Sequence, residues 1–140
     1  MERGSARWSL VVVVVPALVM FGVFVPIVAF WSRYPDPIAV HWGFSGPPNG
    51  EMSLLLYTVL LATGLFLAWA ALIAGSREMM PSAPLTAVTY FIFGLLAAVN
   101  AQIVIANLDA TSWEAADEMS PPMFIAVLAV AVAAGAAGWF

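Results

Sequence analysis

Four long apolar runs, 8–30, 54–75, 83–106 and 121–140, divide the chain, and short polar stretches separate them. Each is close to the roughly 20 residues a helix needs to cross a hydrocarbon core of about 30 Å at 1.5 Å rise per residue. None contains a charged residue. Backbone groups in lipid find no water, so such a run must close its hydrogen bonds internally, and that means helix. The Val11–Val15 stretch would favour a strand in water, but a bilayer overrules that preference. The pattern predicts an all-α membrane protein. It is a four-transmembrane-helix bundle in one membrane domain covering 1–140, with a structured outer loop between helices 1 and 2. The fourth run ends at Phe140 with no polar tail, an ending that also suits the N-terminal part of a longer protein.

Composition agrees. The 140 residues are 64% hydrophobic and 9% charged, with a mean hydropathy of +1.00. A soluble domain carries about 25% charged residues, so this chain lacks the means to cover a water-facing surface. Without cysteine there is no disulfide or thiolate metal site. The first run is too long for the 7–15-residue core of a signal peptide, and no Ala-x-Ala-like site follows it, so it reads as a retained helix.

Charge placement gives an orientation. Arg3 and Arg7 precede the first run and Arg77 follows the second, so four spans put all three on one side. The positive-inside rule makes that side cytoplasmic. The expectation is a multi-pass protein of the cell membrane with both termini cytoplasmic and the loop after helix 1 extracellular. Asp36, Glu51, Asp109, Glu114, Asp117 and Glu118 then face outward against Arg33 alone. Beyond the lipid bilayer, the expected partners are a cationic peptide or another membrane protein at this outer face, attracted in a salt-dependent way. The alternative is a merely solvated acidic face. No nucleic-acid partner is expected.

Within the runs, helices associate by close packing and polar contacts, because lipid tails are as apolar as leucine. Ala131-x-x-x-Gly135, Ala134-x-x-x-Gly138 and Gly94-x-x-x-Ala98 are small-xxx-small pairs, which join helices within the chain or between copies in a homo-oligomer. Asn100 and Gln102 are the intramembrane amides, read either as interhelical hydrogen bonds or as the lining of a pocket under the loop. No Asp, Glu, Lys, Arg or His lies within a run, which argues against a proton-coupled carrier, a voltage sensor or an ion relay. Pro16 and Pro26 each remove a helical hydrogen bond from the first run.

The segment from Tyr34 to Gly50 is the one stretch that lipid burial does not explain. It holds His41, the single histidine of the chain. Pro35 and Pro37 stiffen its start. Ile38, Val40 and Trp42 alternate with Ala39 and His41 in a short extended pattern, with Trp42 and Phe44 suited to the membrane interface. Pro47-Pro48-Asn49-Gly50 is a turn signal. One histidine with scattered carboxylates, Asp36 and Glu51 among them, falls short of the three or four ligands zinc takes. Ser45 beside His41 lacks a third catalytic group and a nucleophile elbow. The expectation is no catalytic residue, no metal and no cofactor, with His41 ordering the loop through a bond to a backbone carbonyl or carboxylate. The candidate ligand-binding positions are Pro35, Asp36, Ile38, His41, Trp42, Gly43, Gly46 and Asn49.

The order Pro-Asp-x-Ile-x-x-His-Trp-Gly-x-x-Gly-x-Pro-Asn-Gly just after a first transmembrane helix resembles the signature of a bacterial membrane family of unknown function. That domain forms the N-terminal region of SdpI-type proteins, which confer immunity against the sporulation-delaying toxin. Pro35, Asp36, Ile38, His41, Trp42, Gly43, Gly46, Pro48 and Asn49 carry the resemblance. Tyr34 stands where the family has Leu, Ala39 where it has Pro, and Glu51-Met52-Ser53 lacks the lysine that often follows. The resemblance implies a non-enzymatic membrane protein whose outer loop engages a ligand or partner, with immunity or signalling toward membrane-active peptides as one form. The alternatives are a transport accessory or small carrier with a polar pocket at Asn100 and Gln102, and a membrane enzyme using His41.

Overall fold

The computed structural model describes residues 14–43, 46–76 and 83–139. Helix α1 (Val15–Ala29) leads through a 3-10 turn (Trp31–Arg33) into strands β1 (Ile38–Trp42) and β2 (Pro48–Met52). Helices α2 (Leu54–Ser76) and α3 (Ala83–Asn107) follow, then a second 3-10 turn (Trp113–Ala115) and α4 (Pro121–Trp139). The expected start of helix 1 at 8–13, the turn at 77–82, and Phe140 lie outside the described residues.

Among the described residues three helices are long and apolar enough to cross a membrane, 54–74, 83–107 and 121–139, whereas α1 has 15 residues. Pro121 and Pro122 open α4, where a missing N–H costs nothing. The outward faces are what lipid requires: Phe21 and Ile125 are 68% and 69% exposed. The all-α expectation needs one correction. The segment expected as a loop contains a two-stranded antiparallel hairpin, because its β-branched and aromatic alternation finds buried partners on both of its faces.

The helices meet in two ways. Val23 of α1, Leu65 of α2 and Phe93 of α3 form one buried cluster. The α3–α4 pair instead runs antiparallel along a seam of small residues. A Cβ added to Gly94 would stand 2.7 Å from the Cβ of Ala134, one on Gly138 would stand 2.8 Å from the carbonyl oxygen of Thr86, and one on Gly135 3.1 Å from the Cβ of Phe91. Ala131 is fully buried here. The small-xxx-small pairs are therefore consumed within the chain, and association between copies would have to use another face.

At one end of the bundle the hairpin and the segment after α3 form a cap. Ile38 packs with Ile27 and Leu54. Ala39 and Trp42 pack with Ala106, Ala116 and Met119. The stretch from Asn107 to Ser120, expected as a polar loop, thus contributes part of the cap's interior.

Gly138→Val forces a branched side chain into the Thr86 backbone and lowers stability by about 1–3 kcal/mol. Gly64→Ala, at a position inside α2 with nothing within 4 Å of the added carbon, costs no stability and raises it by up to about 1 kcal/mol. Denaturant titration in detergent micelles measures both.

Candidate functional site

The cap is held by a side chain that imitates a strand. In a two-stranded antiparallel ladder a residue's N–H and C=O point to the same side. Those of Ala39 point away from β2 and need a partner, since Ala39 is fully buried. Asn107, the last residue of α3, supplies it. Its Oδ1 accepts the Ala39 N–H at 2.8 Å and its Nδ2 donates to the Ala39 carbonyl at 2.8 Å. The same Nδ2 donates to the Ile103 carbonyl at 2.8 Å, which fixes the rotamer.

Three further ties complete the roof. The indole Nε1–H of Trp42 donates to the Asp117 carbonyl at 3.0 Å, and the Asp117 N–H donates to the Ala106 carbonyl at 2.8 Å. The Met119 N–H donates to the Gly46 carbonyl at 3.1 Å. Gly46 has φ +111°, in the region that favours glycine, and a Cβ there would meet Glu118 Oε2 at 3.0 Å. On the outer edge Arg33 donates through Nε to Asp109 Oδ1 at 2.8 Å and through Nη2 to Oδ2, while the Asp109 N–H donates to the Arg33 carbonyl at 2.9 Å. Asp109 has φ +64°, a conformation aspartate tolerates better than most side chains. The hydrogen bond from Arg33 holds the Asp109 carboxyl below its ordinary range, and the charge of Arg33 adds to this.

The motif side chains divide by task. Asp36 precedes a cis bond to Pro37, and its Oδ1 accepts the Leu54 N–H at 3.0 Å. Ser53 Oγ accepts the Leu56 N–H at 3.2 Å, so two side chains cap the start of α2. Ile38 and Trp42 are buried packing residues, which removes Trp42 from the interfacial position expected for it. Pro35 and Gly43 are half-buried and shape the backbone. His41 is exposed, and its Nδ1 lies 2.5 Å from Asn49 Oδ1. The partner is thus the side-chain amide of Asn49, in place of the backbone carbonyl or carboxylate expected, and Nδ1 is the donor because an amide oxygen only accepts. Gly50 leaves room for this crossing, since a Cβ there would stand 3.0 Å from the Cβ of His41. Phe44 and Ser45 lie outside the described residues.

Beneath the hairpin is a cavity of about 230 Å³. Val40, His41 and Trp42 line it from the hairpin, and Val99, Gln102 and Ile103 from α3. Met119 and the α4 residues Met123, Phe124 and Val127 close the other wall. The two intramembrane amides part company here. Asn100 is buried and accepts a hydrogen bond from the Tyr57 hydroxyl at 2.5 Å, tying α2 to α3. Gln102, two residues on and so on a different face of the helix, lines the cavity, and its Oε1 is buried without a partner. Among the described residues no three His, Asp or Glu side chains gather as a metal site would require. Reading the sequence missed Asn107, although a signal was present: seven residues separate it from Asn100, which places both amides on one face of α3.

Residues 17–67, from α1 through the hairpin into α2, match the family model described as a domain of unknown function (DUF1648). No curated protein and no solved structure matches the chain.

Asn107→Leu strips partners from the buried N–H and C=O of Ala39, a loss of about 2–4 kcal/mol. Faster amide exchange at Ala39 and a lower denaturation midpoint are the expected readouts. The Arg33–Asp109 pair makes an acid-side contribution. The carboxyl titrates below its ordinary 3.8 in the folded chain, so the stabilisation is complete above that value and is lost as pH falls through the folded one. Asp109→Asn removes this pH-dependent share. Unfolding midpoints of variant and parent, compared from pH 7 down to pH 2, should converge at the acid end.

Proposed function

We propose that this chain is a non-enzymatic integral membrane protein of the cell membrane whose hairpin cap binds a ligand or partner. The observation that carries the reading is the cavity under β1, with His41 and Gln102 the polar side chains lining it apart from the bonded indole of Trp42. Apolar walls with a few placed polar groups are the usual build of a recognition site. Asn49 orients the imidazole through an amide that carries no charge, which favours recognition over proton transfer at His41. Asn100 is bonded to Tyr57 away from Gln102, so the shared polar vestibule that a carrier would need gains no support.

In this reading the 8–30 run forms a fourth span, the termini are cytoplasmic and the cap is extracellular, as the placement of Arg3, Arg7 and Arg77 favours. The cap's acidic residues, Asp36, Glu51, Asp109, Glu114, Asp117 and Glu118, favour a cationic peptide or membrane partner. The motif's likeness to SdpI-type proteins makes immunity toward membrane-active peptides the form to test. A strain lacking the protein should become more sensitive to such peptides. Wild type should restore resistance, and His41→Ala should not, at equal protein level in the membrane. Unchanged sensitivity of the deletion strain removes the immunity reading.

A further inference from the structure

The cavity is too small for a drug-sized molecule, since such sites hold about 300–1,000 Å³. It suits a length of hydrocarbon. Its walls also reach the lipid-facing surface: Val99 and Phe124, on its opposite sides, are 41% and 45% exposed on helices that can cross a membrane. An acyl chain can therefore enter sideways from the bilayer without passing through water.

The charge around the roof selects the headgroup. Asp117 and Glu118 immediately precede the lining residue Met119, and the Asp117 carbonyl accepts the indole N–H of the lining residue Trp42. Arg33, the one basic residue among those described, is taken by Asp109. Among the described residues, an anionic headgroup would meet these carboxylates and no unpaired arginine. A primary ammonium would meet complementary charge.

We propose that the cavity is a site for an amine-headed phospholipid of the phosphatidylethanolamine class. One acyl chain lies against Val99, Phe124 and Val127, the ammonium group faces Asp117 and Glu118, and the Gln102 amide N–H donates to an ester carbonyl of the lipid. This rests on the reading of the cap as a ligand site and specifies what the ligand is.

The test exchanges the purified full chain into vesicles of phosphatidylcholine containing equal parts phosphatidylethanolamine and phosphatidylglycerol. Lipid retained after mild detergent extraction is then counted by native mass spectrometry. Wild type should retain one phosphatidylethanolamine, preferred over phosphatidylglycerol by about fivefold, the size that a few exposed charge contacts give. Val127→Trp fills the cavity and should abolish retention, with Val99→Trp on the opposite wall as the second variant if the first does not fold. Asp117→Asn with Glu118→Gln keeps the backbone contacts and should reduce the preference to about one while retention persists. Retention of the three lipids in proportion to their abundance in the vesicles, or retention that survives the filled cavity, overturns the proposal. No lipid retained, but saturable binding of a lysine- and tryptophan-containing peptide that Val127→Trp abolishes, overturns the lipid and leaves the ligand site standing. Loss of both defeats the site itself.

Discussion

The pairing of the Asn107 amide with both backbone groups of Ala39 is the constraint on which the cap depends. A two-stranded hairpin is marginal alone, and β1 is buried on both faces, Ile38 at 2% and Ala39 at 0% exposure. Burial on that scale leaves no water for the edge of the strand. A carboxamide is the one side-chain group that offers a donor and an acceptor in the spacing of a peptide unit, so Asn107 stands in for a third strand. Because it is the last residue of α3, the same contact fixes where the hairpin sits on the bundle. Trp42 then reaches Asp117, Asp117 reaches Ala106, and the chain after α3 is drawn across the top.

The molecule is held together by different physics at its two levels. Between the spans the hydrophobic effect has little to offer, because lipid competes for every apolar surface. There the work falls to close backbone approach, seen where Gly94 meets Ala134 and Gly138 meets Thr86, and to the hydrogen bond from Tyr57 to Asn100. With the cap outside the bilayer, as proposed, water is the competitor there, and burying Ile38, Trp42 and Met119 is favourable in the ordinary way, about 1.5–3 kcal/mol for a fully buried large apolar side chain. The cap's polar contacts consequently sit at its edge, Arg33 with Asp109 and His41 with Asn49, or pair backbone groups inside it.

The same division explains what the sequence revealed. The three long helices were legible because lipid imposes one backbone solution on any apolar run of that length. The extended character of Ile38, Val40 and Trp42 was legible from alternation, but not that Ala39 between them would be fully buried, since it packs against Ala106, Ala116 and Met119 and bonds to Asn107, all distant in sequence. Ending α3 at Ala106 assigned Asn107 to a polar loop and hid its spacing from Asn100. Treating Asn100 and Gln102 as one feature missed that neighbours two apart on a helix face different surroundings. Trp42 read as an interfacial aromatic because nothing local shows that a carbonyl at Asp117 awaits its N–H. What was illegible is the long-range matching of single polar groups, which leaves no periodicity.

The position of the cavity follows from a gradient of side-chain size along α3 and α4. Away from the cap, the facing positions are Gly94, Ala131, Ala134, Gly135 and Gly138, and the backbones come close enough that an added methyl would collide. Toward the cap, the α3 residues are Val99, Gln102 and Ile103 and the α4 residues Met123, Phe124 and Val127. Side chains of that bulk hold two backbones apart, and packed interiors tolerate such a gap poorly unless something fills it. The hairpin does not descend into the gap, because Asn107 stops Ala39 at the end of α3. It roofs the space instead, bringing His41 and Trp42 to its upper rim. The contact that anchors the hairpin is thereby also the reason a cavity with apolar walls and a polar lip exists beneath it.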